Sequence, residues 1–153
     1  MNKIEAYWNK FIATLPAEDP TRQAQYVAEG FGDRPDLADE LGALALAGTK
    51  TATCSALWEW EADGNPIPQV GLKTIVLDGK DEPLCIIETT EVTVIPYNEV
   101  DARFAAEEGE GDRSLNYWRS AHWSFFSRLL ARIGKEPVQD MPLVCERFRI
   151  IYK

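Results

Sequence analysis

A long run of β-branched and apolar residues at positions 83–96 constrains the fold more than any other part of the chain. Such a density of isoleucine, valine and threonine is typical of a β-strand. A shorter run of the same character lies at 74–77, and the Asp-Gly-Lys sequence that follows it is a turn signal. The two runs therefore predict a β-hairpin whose second strand is the longer one.

Apolar residues recur at three- and four-residue steps in much of the remaining chain, which is the spacing of a buried helix face. This pattern predicts helices at residues 4–15, 36–47, 98–108 and 114–133, and a short helix near 23–29. A closing strand is predicted at 143–152. Because strands and helices do not alternate in regular βαβ units, we expect an α+β domain, with a small barrel or curved sheet and helices packed outside it.

The charge balance limits the partners of the protein. The 153 residues include 16 Lys and Arg against 25 Asp and Glu, which gives a net charge of −9 with the single His neutral. Affinity for a nucleic-acid backbone comes from cationic neutralisation of its phosphates. The acidic composition therefore argues against DNA and against long RNA as partners, and it leaves open a local pocket for a nucleoside or nucleotide.

The sequence predicts neither a membrane partner nor a cofactor. No apolar run approaches the ~20 residues of a membrane span, and the first residues lack the apolar core of a signal peptide. Three widely spaced cysteines are a poor disulfide framework, so we expect a reducing, cytoplasmic location. One His without a Cys-x-x-C pair does not form a zinc site by the usual spacings, and no metal is expected. No pattern in the sequence indicates an oligomeric state.

The most informative short motif is Gly48-x-Lys50-x-x-Thr53. Glycine permits a tight turn after a helix, and a lysine with a hydroxyl three residues later can face one side of the following segment. A lysine so placed can hold an anionic or carbonyl group, or accept a proton from a hydroxyl nucleophile. The alternative is a helix C-cap followed by a solvent-facing lysine. The spacing does not match a phosphate-binding loop.

Four sequence blocks extend this motif. They read GTKTAT at residues 48–53, LCIIETTEV at 84–92, FAxxEGEGDRSLxYWxxxHWxFF at 104–126 and VCERF at 144–148. In this order the blocks resemble ASCH-domain proteins, over nearly everything after about residue 36. The resemblance implies a PUA-like β-barrel with flanking helices at 36–153. Residues 1–35 would then be an N-terminal helical extension packed on that domain.

Members of the ASCH family have been proposed to bind RNA, and some show ribonuclease or N4-acetylcytidine amidohydrolase activity. In the amidohydrolase branch a threonine, a lysine and a glutamate act together, and the resemblance assigns these roles to Thr53, Lys50 and Glu88. Thr53 would attack the acyl carbonyl, Lys50 would take the hydroxyl proton, and Glu88 would orient Lys50 or pass the proton to the leaving amine. One departure is that Cys54 and Ser55 follow Thr53, where that branch has an arginine nearby.

Further residues are candidates for binding the substrate. Gly48 shapes the turn before Lys50, and Trp58 is placed to wall a base-sized pocket. Arg113 and Ser114 follow an acidic, glycine-containing stretch at 107–112 and can contact a ribose or phosphate at a helix N-terminus. The acidic stretch itself can rim the pocket, and the alternative interpretation is a helix-capping loop whose carboxylates favour the positive end of the following helix dipole. His122 is interpreted as a hydrogen-bonded core residue rather than a catalytic base.

Two classes of function follow from these residues. One is a hydrolase that acts on a modified nucleoside, nucleotide or RNA, with a ribonuclease as a further version. The other is a binding module that holds a nucleobase in the same pocket without catalysis. Hydrolysis predicts that the Lys50 amine lies within hydrogen-bonding reach of both the Thr53 hydroxyl and Glu88.

Overall fold

The computed structural model describes residues 1–153, with five strands in a single mixed sheet. The strands are β1 (Tyr26–Glu29), β2 (Ala52–Ala56), β3 (Lys73–Leu77), β4 (Pro83–Pro96) and β5 (Pro142–Tyr152). The helices are α1 (Lys3–Ile12), α2 (Pro35–Leu46), α3 (Leu57–Asp63), α4 (Ala102–Glu108) and α5 (Leu115–Ala131), with short 3-10 helices at Pro20–Gln23 and Tyr97–Glu99. None of these helices has the length and apolar composition needed to cross a membrane.

The strand order in the sheet is β1-β3-β4-β5-β2. Strand β1 runs parallel to β3, and every other neighbouring pair is antiparallel. The two edge strands, β1 and β2, do not pair with each other, so the sheet is open. The α+β class is therefore confirmed. The expected barrel is not closed, because the sheet is open. One face of the sheet lines a cavity with residues from all five strands.

The predicted hairpin and the closing strand are confirmed. Strand β3 pairs with the first half of β4, and β5 pairs with β4 over almost its whole length. Asp78 stabilises the turn, because its carboxylate accepts hydrogen bonds from the backbone N–H groups of Lys80 and Glu82. The pairings of β4 with β3 and β5 thereby fix which side chains of these strands lie on each face of the sheet.

The N-terminal segment joins the sheet. Helix α1 is confirmed, and its Trp8 and Phe11 pack against the outer face of the hairpin at Ile75 and Ile86. The short helix expected near residues 23–29 is wrong, because this segment forms β1 and pairs with the free edge of β3. Burial alternates along β1 with the two-residue period of a strand. Pairing with β3 therefore decides the conformation of this segment, and a local helix does not form.

Two helix starts differ from the expectation by a few residues. Helix α4 begins at Ala102 instead of residue 98, because Asp101 accepts the capping hydrogen bond from the Phe104 N–H. Helix α2 begins one residue earlier than predicted, with Pro35 in its first turn. Helix α5 begins after Ser114, close to the predicted start, and the Ser114 side chain caps it by accepting from the Tyr117 N–H.

Two glycine turns bring the end of α4 next to the start of β2. Gly48 has a φ of +83° and turns the chain from α2 towards Lys50. Gly109 ends α4 with a φ of +78°, and a Cβ atom there would lie 2.8 Å from the Thr49 carbonyl oxygen. The Thr51 N–H also donates to the Glu107 carbonyl at 2.7 Å. The backbone therefore places Lys50 against the C-terminal end of α4.

Candidate functional site

Lys50 is only 2% exposed and carries its charge into the interior. Its Nζ lies 3.1 Å from Glu108 Oε1 and 3.6 Å from Glu110 Oε2. A buried ammonium requires such partners, because transfer from water to a protein interior is costly for an unpaired charge. The structural alternative of a solvent-facing lysine after a helix cap is therefore excluded.

Glu108 is the centre of this cluster and is 1% exposed. Its carboxylate accepts hydrogen bonds from the Trp118 indole at 2.5 Å and the Cys54 thiol at 3.3 Å, and it lies 3.1 Å from His122 Nε2. Burial alone would raise the pKa of Glu108. The positive charges of His122 and Lys50 and the hydrogen bonds outweigh burial and hold that pKa well below its ordinary value. Glu108 is thus a fixed anion.

The surroundings of His122 favour its protonated form. Its Nε2 faces Glu108, and its Nδ1 lies 2.9 Å from the Trp118 carbonyl oxygen, so both ring nitrogens face acceptors. Burial lowers the pKa of His122, but the Glu108 carboxylate more than compensates and the net shift is upwards from 6.5. The expectation of a hydrogen-bonded buried histidine is confirmed, and the same ring also lines the cavity described next.

Glu110 differs from Glu108 in having fewer partners. It lies 3.6 Å from Lys50 Nζ and 3.8 Å from His122 Nε2. Its pKa is raised, first by burial and then by the charge of Glu108, against the opposing effect of Lys50. Of the two carboxyl groups facing Lys50, Glu110 is therefore the one suited to exchange a proton.

These side chains line an open cavity of about 340 Å³ between α2, β2 and α5. Its polar groups include Lys50, Thr53, Glu108, Glu110 and His122. Its aromatic walls and cationic groups are Phe31, Tyr117, Phe125, Arg34 and Arg128. The cavity therefore combines donors, carboxylates and hydroxyl groups with flat apolar surfaces.

Thr53 shares this cavity with Lys50, as the motif predicts. Its hydroxyl forms no hydrogen bond with Lys50, whose short polar contacts are to Glu108 and Glu110. Thr53 also lines a second cavity, on the concave face of the sheet. It lies at the boundary of two cavities.

The expected pair of Lys50 with Glu88 is not formed. Glu88 accepts from Arg149 at 2.8 Å and lies 3.0 Å from Lys73 Nζ, away from both cavities. Successive residues of a strand face opposite sides of a sheet, and Thr89, next to Glu88, is the one that faces the concave side. The carboxylates beside Lys50 come from the end of α4 instead. Glu108 lies one helical turn after Phe104, a spacing that puts it on the buried face and was the available signal.

None of the other four proposed binding residues lines the Lys50 cavity. Gly48 only turns the backbone, and Trp58 packs against the core with the Lys135 amine 5.4 Å from its ring centroid. Arg113 is exposed and donates to the Ala106 carbonyl, and Ser114 caps α5. The capping-loop alternative therefore describes Arg113 and Ser114, because their polar atoms are engaged by local backbone.

Three donor atoms in the cluster lie close enough to share a metal ion, namely those of Cys54, Glu108 and His122, all within 4.8 Å of one another. Two features oppose metal binding there. The Cys54 pKa is raised well above its ordinary value by burial and by Glu108, so its sulfur keeps its proton and donates it. The Lys50 ammonium already supplies the positive charge that the carboxylates attract. The donor set therefore favours a proton network over a bound metal.

Comparisons with known proteins agree with this architecture. A family model described as the ASCH domain matches residues 27–152. The crystal structure of an ASCH domain from Lactobacillus crispatus JV V101 is 34% identical, with a TM-score of 0.92, and the match covers 100% of this chain and 97% of that one. Protein EF3133 from Enterococcus faecalis V583, of the family DUF984, is 33% identical with a TM-score of 0.86, over 98% of this chain and 88% of that one.

A hypothetical protein, PH0355, shares the fold at 14% identity, with a TM-score of 0.55 over 83% of this chain and 100% of that one. Among curated proteins no match is found. The family model spans most of the chain and includes Lys50, the α4 carboxylates and α5. The resemblance seen in the sequence blocks is confirmed, and this chain belongs to the ASCH-domain family.

Proposed function

We propose that this ASCH domain is a hydrolase that removes an acyl group from the amine of a modified nucleoside such as N4-acetylcytidine. The observation that carries the proposal is the convergence of the Lys50 ammonium, the carboxyl groups of Glu108 and Glu110 and the Thr53 hydroxyl on one open cavity. Amide hydrolysis needs these parts: a donor for the acyl oxygen, a nucleophile and a group that transfers protons.

The chemistry divides among the residues as follows. The Thr53 oxygen attacks the acyl carbon while the hydroxyl proton passes to Glu110, and Lys50 donates a hydrogen bond to the oxygen that becomes negative. The C–N bond then breaks, and the amine leaves with the proton from Glu110. Water hydrolyses the resulting Thr53 ester, which restores the hydroxyl and releases the carboxylic acid; the acid then ionises to a carboxylate and a proton. Atoms and charge balance without a metal or an oxidant.

Glu108 acts through Lys50 and is a positioning residue. Its carboxylate holds Lys50, His122 and Trp118 at fixed places, and its low pKa keeps it ionised throughout. Glu110, with its raised pKa, is assigned the proton transfer. These roles replace the one expected of Glu88, whose carboxylate is engaged with Arg149 and Lys73 on the other side of the sheet.

One observation favours a second candidate, a nucleoside-binding module without catalysis. The Thr53 hydroxyl and Lys50 are not hydrogen-bonded, whereas binding requires only the cavity. Catalytic hydrogen bonds often tighten only when the substrate is bound, so this spacing is compatible with hydrolysis. A ribonuclease is the third candidate, and the net charge of −9 weakens it because a long RNA is a polyanion.

The test is acetate release from N4-acetylcytidine, with a short oligoribonucleotide assayed in parallel for cleavage. Glu110→Gln and Thr53→Val should abolish acetate release. Glu88→Gln is the matched control for the carboxylate, because it removes an equal charge outside the cavity. Nucleoside binding without turnover in the native protein would establish the binding module, and RNA cleavage without acetate release would establish the ribonuclease.

A further inference from the structure

The concave face of the sheet holds a second and larger cavity, of about 730 Å³. All five strands contribute to its lining, and the segment 65–70 forms one wall. Two valines of this lining, Val27 and Val70, are among the most exposed large apolar residues of the chain, at 42% and 67%. Exposed apolar surface inside a concave site is typical of a place where a ligand covers it.

The two cavities differ in their charged groups. The Lys50 cavity combines two arginines, a lysine and a histidine with three glutamates, whereas no cationic side chain lines the sheet cavity. The charged groups of the sheet cavity are the carboxyl groups of Glu29, on β1, and Glu146, on β5. Its remaining lining is apolar, aromatic, hydroxyl or amide. This cavity therefore disfavours a phosphate or a carboxylate and favours a cation.

Glu146 has no charged partner. Its Oε1 accepts one hydrogen bond, from the Thr89 hydroxyl at 3.2 Å, and no lysine, arginine or histidine lies within 4.0 Å of its carboxylate. By contrast Glu88, on the other side of the same sheet, is paired with Lys73 and Arg149. A carboxylate in an apolar cavity without a counter-ion has unused capacity for a cationic donor.

The aromatic residues of the lining suit the same ligand. Trp60, Phe31 and Phe148 all face the cavity, and Phe31 stacks on Phe148 with the ring centroids 6.0 Å apart. A cation that approaches the face of an aromatic ring is attracted by the ring quadrupole, and the apolar part of an organic cation gains from contact with the same surfaces. An inorganic cation has no apolar part and lacks this second contribution.

We propose that the sheet cavity binds an organic ammonium ion, with its charge against Glu146 and its apolar body against Trp60 and Phe148. The site is separate in chemistry from the Lys50 cavity and does not depend on the hydrolase function. Thr53 and Phe31 line both cavities, so an occupant of the sheet cavity reaches the wall of the other one. An amine bound here would lie next to Thr53.

The test is a set of three probes of similar shape: phenethylamine, 2-phenylethanol and phenylacetate, titrated at pH 7.5 and followed by backbone amide NMR. The ammonium probe should bind about tenfold more tightly than the alcohol, as expected of one charge-assisted hydrogen bond, and the carboxylate should bind least. The shifted amides should include those of Thr89 and Glu146. Glu146→Gln should remove the preference for the ammonium probe.

Glu88→Gln is the control, because it removes the same charge from the same sheet on the face away from the cavity. It should leave the preference intact. Equal affinity for the three probes, an unchanged preference in Glu146→Gln, or shifts confined to the Lys50 cavity would each overturn the proposal. These binding results do not depend on acetate release, so failure of either proposal is distinguishable from failure of the other.

Discussion

Lys50 Nζ lies 3.1 Å from Glu108 Oε1, and the side chains of both residues are at most 2% exposed. The two residues are 58 positions apart in the chain, and the contact joins the start of β2 to the end of α4. A pair buried to this degree cannot lose one member without leaving the other charge uncompensated. The contact therefore contributes both to the stability of the fold and to the position of Lys50 in the site.

Removal of either partner should destabilise the protein. Lys50→Met or Glu108→Gln alone is expected to cost roughly 3–5 kcal/mol of unfolding free energy, as for other broken buried pairs. The double variant should cost clearly less than the sum of the two single variants, because neither charge is then left alone. Urea unfolding of the four proteins measures this coupling. Strict additivity would mean that the pair is not a coupled unit.

The ion cluster should give a stability optimum in mildly acidic solution. Glu108 has a lowered pKa, so its contribution is present above the ordinary glutamate value of 4.5 and is lost as the pH falls through the lower folded pKa. His122 has a raised pKa, so its contribution is full below 6.5 and is lost as the pH rises through the higher folded pKa.

The difference in unfolding free energy between the native protein and His122→Gln measures the histidine part. It should be largest below pH 6.5 and should decline at higher pH. A difference that grows with pH would have the wrong sign and would mean that His122 is buried as the neutral ring.

Gly109 should tolerate substitution less well than Gly48. Both residues have a positive φ, so alanine strains the backbone at either place by about 1–3 kcal/mol. At Gly109 the added Cβ also meets the Thr49 carbonyl oxygen at 2.8 Å, whereas at Gly48 nothing lies within 4 Å. Thermal unfolding of Gly109→Ala and Gly48→Ala compares them. Equal losses of thermal stability in the two variants would show that the close approach of α4 to Thr49 does not contribute to stability.

Glu146→Gln should stabilise the protein, and only at neutral or higher pH. Burial raises the pKa of Glu146 to about 6 from an ordinary 4.5, a difference worth about 2 kcal/mol. Because the folded state favours the protonated form, the cost of ionisation is full above about pH 6 and absent below 4.5. Unfolding at pH 8 and pH 4 tests the sign. Glu88→Gln should not stabilise at either pH, since the pKa of Glu88 is lowered.

Local patterns predicted most of the elements because the core-forming runs are unambiguous. The β3–β4 hairpin, the closing strand, and helices α1 and α5 all follow from residue periodicity. Strand β1 was missed because four residues carry little pattern of their own, and only the free edge of β3 specifies them as a strand. Whether the sheet closes is likewise a property of distant edges and not of any segment.

The candidate site was predicted only in part, because its geometry also depends on contacts between distant segments. The motif correctly brought Lys50 and Thr53 to one cavity. The position of Glu88 depended on which face of β4 it occupies, which is set by pairing with β3 and β5. Glu108 and Glu110 belong to the acidic stretch at 107–112, whose sequence predicts either a pocket rim or a helix-capping loop and does not indicate which carboxylates approach Lys50. Their burial comes from the approach of α4 to Lys50, which only the three-dimensional structure contains.

The rate of acetate release from N4-acetylcytidine by Thr53→Val tests the central claim most directly. Thr53 is only partly buried and its hydroxyl forms no hydrogen bond within the protein, so this variant should keep its fold. We expect no release from Thr53→Val and full release from Thr93→Val, a strand threonine that is exposed outside both cavities. Release by Thr53→Val at the native rate would contradict the assignment of Thr53 as the nucleophile.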